Sequence, residues 1–428
     1  MIKMKISIIN NYPGFNKGNE ALLNSILTSL NDKFPDAEFN VYTYDLELNY
    51  SIKKDYIRGI KVNFHRELGK IGINKKLIRT FLITVSLLLY RFPGNIKIFN
   101  GNGIKEFADS DLVISTGGDV LTEDYGPRSL YSCYLNILYG KLLKKPVVLY
   151  AESIGPFHNA INRRMSKIVL NKADLITLRE ELSEKNLKEI GVNDPIIKVT
   201  ADSAFLLEPA DENRIKEILN IEGPGIHPGP MIGFSVSSII SDYGFEGIEN
   251  KSEKYEMYVR TISEAVDHIT GKYDATVIFV PHVIHPRHDD RKVANDIKKH
   301  IKDISGCVLI EGDYKAEELK GIIGKCDLFI GSRMHSTIAS TSMGVPTIAL
   351  AYSQKMHGII GKMLGQKKYV IDIKELDKDK LISKIDEAWS DRESIKKDLS
   401  ARMEDVKNLS KQNAELVYGV MARLKKGI

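Results

Sequence analysis

Residues 326–352, with the sequence CDLFIGSRMHSTIASTSMGVPTIALAY, decide the fold. The apolar run Leu328–Gly331 predicts a buried strand, and the small residues 337–343 predict a helix that ends at Gly344. A second apolar run, Thr347–Ala351, predicts the next strand. A strand, a helix and a strand in this order form the βαβ unit of a parallel sheet. This stretch therefore predicts an α/β fold.

The same alternation recurs along most of the chain. Short runs of β-branched and aromatic residues alternate with helical patterns, which is typical of open α/β sheets. The predicted strands are residues 5–10, 39–44, 112–115, 147–150, 175–177, 231–235, 275–280, 308–310, 328–331 and 347–351. The predicted helices are residues 20–30, 129–143, 162–172, 181–190 and 211–219, followed by two or more helices within 376–426.

A change in composition divides the chain near its middle. The run GPGIHPGP, residues 223–230, contains too much Gly and Pro for the interior of a helix or strand. A chain of 428 residues also suits two domains better than one core. Two open α/β domains place their functional loops beyond the carboxyl ends of the strands, and we expect these loops to face a central cleft. We predict an N-terminal Rossmann-like domain over residues 1–208, a linker over 209–230, a C-terminal Rossmann-like domain over 231–390 and C-terminal helices over 391–428.

Composition limits the partners of the protein. Hydrophobic residues make up 43% of the chain and charged residues 27%, as in ordinary globular proteins. The net charge of +5 is spread along the chain, so nucleic acid is not expected as a partner. Cys133, Cys307 and Cys326 lie far apart and form no CxxC pair, so reduced thiols in a cytoplasmic protein are expected.

The most hydrophobic segment is residues 77–90, LIRTFLITVSLLLY. It is too short to span a bilayer, which takes about 20 apolar residues. A buried helix is the favoured interpretation. The alternative is a surface that rests on a membrane, because Lys75, Lys76, Arg79 and Arg91 lie within or beside the segment. The first residues of the chain show no secretory signal.

Residues 332–336 carry the strongest functional signal. They join a predicted strand to a predicted helix, where backbone N–H groups can hold an anion. Arg333 and His335 are two residues apart, so both can reach one side of an extended loop. A guanidinium beside an imidazole suits anion binding combined with proton transfer. Lys355 and His357 follow the next strand and add a second cation and a second imidazole.

Other predicted loops offer weaker candidates, each with a structural alternative. The loops that begin at Ser115 and at Glu152 combine small residues with a carboxylate, and simple turn chemistry explains them equally well. Arg179 starts a predicted helix against the helix dipole, which favours either an anionic ligand or a structural salt bridge. The candidates for substrate contact are Arg179, Lys355, Ser332, Ser336, Asn19, Gly117, Gly118, Glu152, His282 and His357.

The segment 281–290, PHVIHPRHDD, invites a metal interpretation because it contains three histidines and two aspartates. Its prolines, however, break the helical spacing of HExxH-type sites, and no second ligand cluster accompanies it. We therefore expect substrate contacts here, through His282, and no metal.

Taken together, these motifs resemble the polysaccharide pyruvyl transferase family. The resemblance rests on GNEALL near the start, DLVISTGGD, AESIGPF, ITLREELSEKNLKEIGV, TADSAF and the 326–352 stretch, in that order along most of the chain. It implies a GT-B-like fold with two Rossmann-like halves. It also implies an enzyme that transfers the enolpyruvyl group of phosphoenolpyruvate to a sugar, forming a pyruvate ketal and releasing phosphate. No cofactor is implied, since phosphoenolpyruvate is a co-substrate.

The resemblance suggests roles for the candidate residues. Arg179, Arg333 and Lys355 would bind the carboxylate and phosphate of phosphoenolpyruvate. His335 is the first choice to move the proton that the methylene carbon requires, and His357 is the second.

Two positions depart from the family's pattern. Asn19 stands where relatives carry an acidic residue, and Asp119 interrupts a Gly/Ser stretch. These departures concern acceptor specificity more than fold.

The expected function is a cytoplasmic transferase, working at the inner face of the membrane on a cell-surface polysaccharide or a lipid-linked or nucleotide-linked glycan precursor. The alternative is a GT-B glycosyltransferase that uses a nucleotide-activated sugar, with Arg333 and Lys355 on the diphosphate. A scaffold without activity is disfavoured because Arg333, His335 and Lys355 are all present. The acceptor sugar and the formation of a homo-oligomer are left open.

Overall fold

The chain divides into two compact units, and the division does not follow the order of the sequence. Unit 1 comprises Met1–Gly14, Leu22–Leu206 and Lys407–Ile428, and unit 2 comprises Phe15–Ala21 and Leu207–Val406. The computed structural model describes residues 3–12, 15–44, 56–68, 75–89, 103–223, 228–285 and 288–426.

Strands and helices alternate along the described residues. The strands are β1 (Lys5–Asn11), β2 (Glu38–Thr43), β3 (Tyr56–Ile57), β4 (Ile60–Arg66), β5 (Leu112–Ser115), β6 (Gly118–Leu121), β7 (Val147–Ile154), β8 (Leu175–Leu178), β9 (Ile196–Val199), β10 (Met231–Ser235), β11 (Thr276–Phe279), β12 (Ile284–His285), β13 (His288–Asp289), β14 (Cys307–Leu309), β15 (Leu328–Gly331), β16 (Thr347–Ala351) and β17 (Val370–Asp372). The helices are α1 (Lys17–Lys33), α2 (Lys75–Leu89), α3 (Ile104–Ala108), α4 (Pro127–Leu142), α5 (Ala160–Leu170), α6 (Glu181–Ile190), α7 (Glu212–Glu222), α8 (Ser238–Tyr243), α9 (Lys251–Tyr273), α10 (Asp290–Lys298), α11 (Ala316–Ile323), α12 (Met334–Ser342), α13 (Gln354–Met356), α14 (Lys378–Ser390) and α15 (Arg392–Lys426).

The sheet of unit 1 is doubly wound. Among the described residues its strands run in the order β3-β4-β2-β1-β5-β7-β8-β9, with β6 beside β7. The short β3 is antiparallel to β4, and the other pairs are parallel. The chain moves outward from β1 to β2 and β4 and then returns to β5 on the other side of β1. This reversal creates a topological switch point between β1 and β5.

Helices cover both faces of this sheet. Successive residues of a strand point to opposite faces, so Val113 and Leu149 meet the layer of α2, α4, α5 and α6. Ile114 and Val148 meet α1 and the last part of α15. Strands buried on both faces are apolar almost throughout, which is why short hydrophobic runs marked them in the sequence.

Unit 2 repeats the design with a sheet of six parallel strands within the described part of the chain. Their order is β14-β11-β10-β15-β16-β17, the arrangement of the Rossmann fold, with its switch point between β10 and β15. Helices α7, α11 and α12 pack on one face, while α9 and α14 pack on the other. The two sheets confirm the predicted α/β fold with two Rossmann-like halves.

Several element boundaries differ from the predicted ones. Four predicted strands match β5, β10, β15 and β16 at both ends, but β7 continues to Ile154, so Glu152 lies in a strand and not in a loop. Helix α1 begins at Lys17, which puts Asn19 in its first turn rather than in the preceding loop. Helix α7 lies inside the predicted linker 209–230, of which residues 224–227 fall outside the described part.

The position of Arg179 relative to its helix also differs from the predicted one. Glu180 is the N-cap of α6, and its side chain accepts a hydrogen bond from the backbone N–H of Ser183 at 3.0 Å. Arg179 therefore precedes the helix and does not oppose its dipole from within the first turn.

Candidate functional site

The switch point of unit 2 is closed by a cluster of serines. The backbone N–H of Ser332 donates to both the carbonyl oxygen of Ser235 (3.0 Å) and its Oγ (3.1 Å). The Oγ of Ser235 lies 2.5 Å from the Oγ of Ser336, which also donates to the carbonyl of Arg333 at 2.7 Å. Ser332 and Ser336 are fully buried. Both predicted contact residues thus hold the turn between β15 and α12 in place.

Gly331 allows α12 to start directly at the end of β15. A Cβ on this residue would overlap Cγ2 of Thr337, one turn into the helix. Arg333 then takes the N-cap position in an extended conformation, and its carbonyl accepts the backbone N–H groups of Ser336 and Thr337, each at 3.1 Å. The side chain of Arg333 is therefore projected from the first residue before the helix.

Arg333 forms a two-point ion pair with Asp290. Its Nη2 lies 2.5 Å from Oδ1 of Asp290 and its Nε lies 3.3 Å from Oδ2. Asp290 is buried at the start of α10, and its Oδ2 also accepts the backbone N–H groups of His282 (3.1 Å) and Val283 (2.9 Å). Burial by itself would lower the pKa of Arg333, but Asp290 raises it above the usual value, so the guanidinium stays charged.

Tyr258 packs beside this pair from α9. Its hydroxyl lies 3.1 Å from the Oγ of Ser332 and accepts the backbone N–H of Ser237 at 3.3 Å. Burial raises the pKa of Tyr258 to about 12, although the hydrogen bond with Ser332 opposes the shift. The phenol is therefore neutral near pH 7 and contributes hydrogen bonds rather than charge.

His335 rests against the bare backbone of Gly18. A Cβ on Gly18 would overlap the Nδ1 of His335, so only glycine lets the imidazole take this position. The segment that carries Gly18 is itself fixed within unit 2. The backbone N–H of Lys17 donates to the carbonyl of His282 at 2.8 Å, and that of Ile284 donates to the carbonyl of Phe15 at 2.8 Å.

His282 is buried and uncharged. Its Nδ1 lies 3.4 Å from the carbonyl oxygen of Val280 and donates to it. Burial, opposed by the hydrogen bond to Val280 and helped by the neighbouring His335, Arg333 and Lys17, lowers the pKa of His282 to about 3. His282 is therefore neutral near pH 7, and the half-buried His335 is the neighbouring imidazole.

A second charged group in unit 2 escaped the sequence analysis. Lys17 is buried, and its Nζ lies 2.5 Å from Oδ1 of Asp313 and 3.5 Å from Oε2 of Glu20. Burial raises the pKa of Glu20 to about 7, although Lys17 partly opposes this and Glu317 adds to it. The signal in the sequence was a Lys and a Glu three residues apart at a helix start, but their partner Asp313 is distant in sequence.

The other candidates of unit 2 occupy different surroundings. Asn19 is half-buried in the first turn of α1, where its backbone N–H donates to the carbonyl of Asn16 at 3.0 Å. Lys355 is buried in α13. The Nε2 of His357 lies 3.7 Å from Oδ2 of Asp372 at the end of β17.

Arg179 forms a buried ion pair inside unit 1. Its Nη1 donates to Oδ2 of Asp202 at 2.6 Å and its Nε donates to the Oγ of Ser153 at 2.7 Å. Its side chain is 2% exposed. This geometry is the structural salt bridge that the sequence left open as an alternative, and a role for Arg179 in substrate binding stays a prediction.

Gly117, Gly118 and Glu152 are built into the sheet of unit 1. A Cβ on Gly117 would lie 2.6 Å from the carbonyl oxygen of Tyr150, so the backbone there tolerates only glycine. Gly118 begins β6 with a positive φ of 129°. Glu152 is buried in β7 and accepts a hydrogen bond from the Oγ of Ser115 at 2.7 Å.

Glu152 belongs to a buried polar network at the switch point of unit 1. The Nδ2 of Asn10 donates to the Oγ of Ser115 at 3.0 Å, and the backbone N–H of Asn10 donates to Oε1 of Glu67 at 2.9 Å. The Nδ2 of Asn136 donates to Glu67 at 2.7 Å and to Oδ1 of Asn10 at 2.9 Å. This network fixes the carboxyl ends of β1 and β5, and of its members only Ser115 and Glu152 were singled out from the sequence.

The histidine-rich segment after β11 forms the short strands β12 and β13. Its His285 and His288 stack with their ring centroids 6.3 Å apart. Across the ranges that the structure describes, no group of three or more His, Cys, Asp or Glu side chains is arranged to hold a metal ion. Residues 286 and 287 lie outside those ranges.

A profile of polysaccharide pyruvyl transferases matches residues 16–354, which include Arg333, Asp290, His335 and Gly18. The chain belongs to the polysaccharide pyruvyl transferase family. The resemblance inferred from the sequence motifs is thereby confirmed. Membership makes this protein one of a family of transferases, and the whole 326–352 stretch lies within the matched region.

Relatives extend the similarity over nearly the whole polysaccharide pyruvyl transferase chain. The amylovoran biosynthesis protein AmsJ of Erwinia amylovora is 24% identical over 421 residues, covering 94% of this chain and 96% of that protein. Among solved structures, a putative UDP-N-acetylglucosamine 2-epimerase from Listeria monocytogenes has a TM-score of 0.64 at 14% identity, covering 100% of this chain and 98% of its own. The Staphylococcus aureus MnaA–UDP structure has a TM-score of 0.62 at 14% identity, with the same coverage. These likenesses confirm the predicted GT-B-like fold.

The hydrophobic segment 77–90 forms most of α2 in this family member. Ile83 and Leu87 are buried against the sheet of unit 1, while Phe81 and Leu88 are exposed. Tyr90 and the side chains of residues 75–79 lie outside the described part. Among the described residues, no helix combines the length and the hydrophobicity that crossing a bilayer requires.

Proposed function

We propose that this protein transfers the enolpyruvyl group of phosphoenolpyruvate to a sugar of a cell-surface polysaccharide or of its lipid-linked or nucleotide-linked precursor. The products are a pyruvate ketal on the sugar and inorganic phosphate. The observation that carries this proposal is the pair of the partly exposed Arg333 with the buried Asp290, beside His335 at the switch point of a Rossmann-like sheet. These residues lie within the region that the family profile matches. The family relationship supports the transfer of pyruvyl groups, and the chemistry of the site supports the donor.

Arg333 can bind the anionic donor while it remains fixed. A guanidinium has five N–H donors, and the contacts with Asp290 use Nε and one N–H of Nη2. The donors on Nη1 and the second N–H of Nη2 remain for a carboxylate or phosphate. A planar guanidinium held on one edge suits two-point binding of such a group. Lys355 would add a second positive charge, and Arg179 stays a predicted contact of the substrate.

His335 is the residue to which we assign proton transfer. Addition to phosphoenolpyruvate begins when a proton binds the methylene carbon, the C=C π bond breaks, and the adjacent carbon becomes oxocarbenium-like. One sugar hydroxyl attacks that carbon and loses its proton. Departure of phosphate with the C–O bond electrons then allows a second hydroxyl to close the ketal. An imidazole can both donate and accept these protons near neutral pH, whereas His282, with its pKa lowered to about 3, cannot donate them.

We place this reaction in the cytoplasm, at the inner face of the membrane. Cys133, Cys307 and Cys326 are free and buried, which fits a reducing compartment. The proposal includes phosphoenolpyruvate as co-substrate and no resident cofactor or metal, so treatment with a chelator is expected to leave activity unchanged.

A second candidate function is glycosyl transfer from a nucleotide-activated sugar. The observation that favours it is the similarity to structures with bound nucleotide, such as the S. aureus MnaA–UDP structure. In that case Arg333 and Lys355 would bind the diphosphate.

One experiment separates the two functions. Purified protein is incubated with phosphoenolpyruvate and a panel of glycan acceptors, and in parallel with nucleotide sugars and the same acceptors. Phosphate release and the mass of the acceptor are followed. We expect phosphate release together with an acceptor that has gained a pyruvate ketal. Acceptor modified by the nucleotide sugar and unchanged by phosphoenolpyruvate would contradict the proposal.

The assignment of His335 is tested with His335→Gln. We expect kcat to fall by about 10²–10⁴-fold, the usual contribution of a general acid–base group. Wild-type turnover in this variant would exclude His335 from the mechanism.

Arg333→Lys replaces a planar group with several N–H donors by a point charge. We expect kcat/KM to fall by about tenfold or more.

A further inference from the structure

Helix α5 in unit 1 carries an apolar stripe on its outer face. Ile161, Met165 and Ile168 follow one another at helical spacing i, i+4 and i+7, so they share one face. Their exposed fractions are 68%, 36% and 46%. An outer helix face is ordinarily polar, so this stripe needs a separate explanation.

The orientation of this stripe is fixed by the inner face of the helix. Asn162 accepts a hydrogen bond from the hydroxyl of Tyr131 at 2.5 Å, and the Oγ of Ser166 lies 2.5 Å from the hydroxyl of Tyr134. Both tyrosines belong to α4. Val169 and Leu170 are buried in the core of the same layer. The helix therefore cannot rotate to bury the stripe without breaking these contacts.

Positive charge surrounds the stripe. Arg163, Arg164 and Lys167 are exposed on α5, and Lys172 follows the helix. Residues 160–172 contain no Asp or Glu. The neighbouring helix α6 is different, since Lys188 pairs with Glu184 at 2.9 Å on the same helix. The surface of α5 thus combines apolar side chains with cationic ones, and the helix itself carries no acidic residue.

A second helix of the same layer also projects apolar side chains outward. Phe81 of α2 is 66% exposed and Leu88 is exposed as well, while Ile83 and Leu87 pack into the core. Helix α4 packs against both α2 and α5. Apolar groups therefore project from two helices that share one layer on one face of the sheet.

We infer that this α5 surface, formed by Ile161, Arg163, Arg164, Met165, Lys167 and Ile168, docks on an anionic lipid bilayer. Apolar side chains interspersed with Lys and Arg on one helix face are typical of helices that lie at a membrane interface. Lysines and arginines near an anionic bilayer strengthen its binding. The centre of a protein–protein interface is instead depleted of charged residues. Three apolar side chains also provide far less than the roughly 800 Å² that each partner buries in a stable protein complex. Charge complementarity thus selects the lipid surface over a second copy of the chain.

The test is binding of the full chain to vesicles, which requires neither donor nor acceptor substrate. Its outcome is therefore independent of the proposed pyruvyl transfer. Co-sedimentation is measured with vesicles of phosphatidylcholine alone and of phosphatidylcholine mixed with phosphatidylglycerol, at low and high salt. We expect binding to the mixed vesicles, weak binding to the zwitterionic ones, and loss of binding as salt is raised.

Two sets of variants locate the surface. Ile161→Ser with Met165→Ser and Ile168→Ser should weaken partitioning into mixed vesicles at least tenfold, because the inserted apolar area is lost. Arg163→Ala with Arg164→Ala and Lys167→Ala should weaken it about fivefold per charge. The matched controls are Ile221→Ser, an exposed isoleucine of α7 in unit 2, and Lys185→Ala with Lys188→Ala on α6. Both controls should bind as the parent does, and all these surface variants should keep the parent's thermal unfolding curve.

Three results would overturn the inference. The first is equal binding of the parent to both kinds of vesicle, or binding to neither. The second is unchanged binding of the α5 variants. The third is a lipid-free, concentration-dependent dimer that disappears in the Ile161, Met165 and Ile168 variant, since this would assign the stripe to a second copy of the chain.

Discussion

At the scale of single residues, Asp290 serves two groups at once. One carboxylate oxygen holds Nη2 of Arg333, and the other accepts Nε of Arg333 and the backbone N–H groups of His282 and Val283. The same side chain therefore orients Arg333 and fixes the segment that contains His282. The carbonyl of His282 in turn accepts the backbone N–H of Lys17. A change at Asp290 should disturb both the chemistry and the stability of unit 2.

Asp290→Asn keeps the size of the side chain and removes its charge. Breaking a buried ion pair leaves Arg333 without its partner, so we expect a loss of about 3 kcal/mol in the free energy of unfolding. We also expect kcat/KM for phosphoenolpyruvate to fall more than tenfold. Urea unfolding and steady-state kinetics measure the two effects. Asp289→Asn is the control, because Asp289 pairs with Arg291 nearer the surface and an asparagine can still cap α10. A loss of stability in this control as large as that in Asp290→Asn would contradict the assignment of the effect to the Arg333–Asp290 pair.

Gly18→Ala tests whether the bare backbone at Gly18 positions His335. The added methyl overlaps the imidazole, so the ring must move. We expect kcat to fall at least tenfold, and the NMR signals of the His335 imidazole to change position because the ring has moved. Gly271→Ala is the control, since its added methyl meets open space within α9 and should stabilise the helix by about 0.5–1 kcal/mol. An unchanged His335 signal in Gly18→Ala would show that the ring does not depend on this contact.

Glu20→Gln tests a pH dependence of stability. Burial raises the pKa of Glu20 from 4.5 to about 7, so the folded protein binds more protons at this group than the unfolded chain does between these values. The contribution of Glu20 to the free energy of unfolding is therefore present at low pH, and it is lost as the pH rises from 4.5 to about 7. We expect the free energy of unfolding to decrease with rising pH less steeply in Glu20→Gln than in the parent, as measured by urea unfolding. The control is Glu184→Gln on the surface of α6, which should leave the pH dependence of the free energy of unfolding as in the parent. The same unchanged dependence in Glu20→Gln would contradict the raised pKa of Glu20.

At the scale of elements, apolar runs predicted the strands because the parallel sheets are buried on both faces. The pattern failed where a polar residue is buried with a partner from elsewhere in the chain. Strand β7 continues through Glu152 because Ser115 donates to its carboxylate and the N–H of Ile154 donates to the Oγ of Ser183. Helix α9 was not predicted, although its buried residues recur at helical spacing in the sequence: Tyr258, Val259, Ile262, Ala265, Val266 and Ile269.

The last part of α15 shows how a helix can depend on one polar side chain. The Nδ2 of Asn413 donates to the carbonyl of Ala201 at 3.0 Å, and its Oδ1 accepts the hydroxyl of Thr200 at 2.7 Å. Both bonds hold α15 beside the segment that carries Asp202, the partner of Arg179.

Asn413→Ala leaves a buried carbonyl and a buried hydroxyl without these partners. We expect it to lower the free energy of unfolding by about 2–4 kcal/mol. Guanidinium unfolding followed by circular dichroism measures the loss. The control is Glu415→Ala, which is also on α15 and removes an exposed partner of Lys33 on α1. It should lower the free energy of unfolding by less than about 1 kcal/mol. Equal effects of the two substitutions would show that the buried bonds do not anchor the helix.

At the scale of the whole molecule, the class of fold could be predicted from the sequence, and Arg333 and His335 stay the predicted centre of the candidate site. Arg333 and His335 stood out because they follow a strand and open a helix within a few residues. Gly18 and Asp290, which hold these side chains, could not be assigned roles, since their contacts span hundreds or tens of residues and depend on tertiary structure. The division into units escaped prediction for the same reason: 15–21 and 407–428 join partners far away in the sequence.

That interleaved division affects how the protein is made. Ala414, Val417, Val420 and Met421 of α15 complete the core on one face of the unit 1 sheet, yet the ribosome synthesises them after all of unit 2. One apolar face of the unit 1 sheet therefore stays partly exposed until residues 407–428 have left the ribosome. The N-terminal domain of a multidomain protein ordinarily folds first during translation. Here the nascent chain keeps part of an apolar face exposed until its last residues are made.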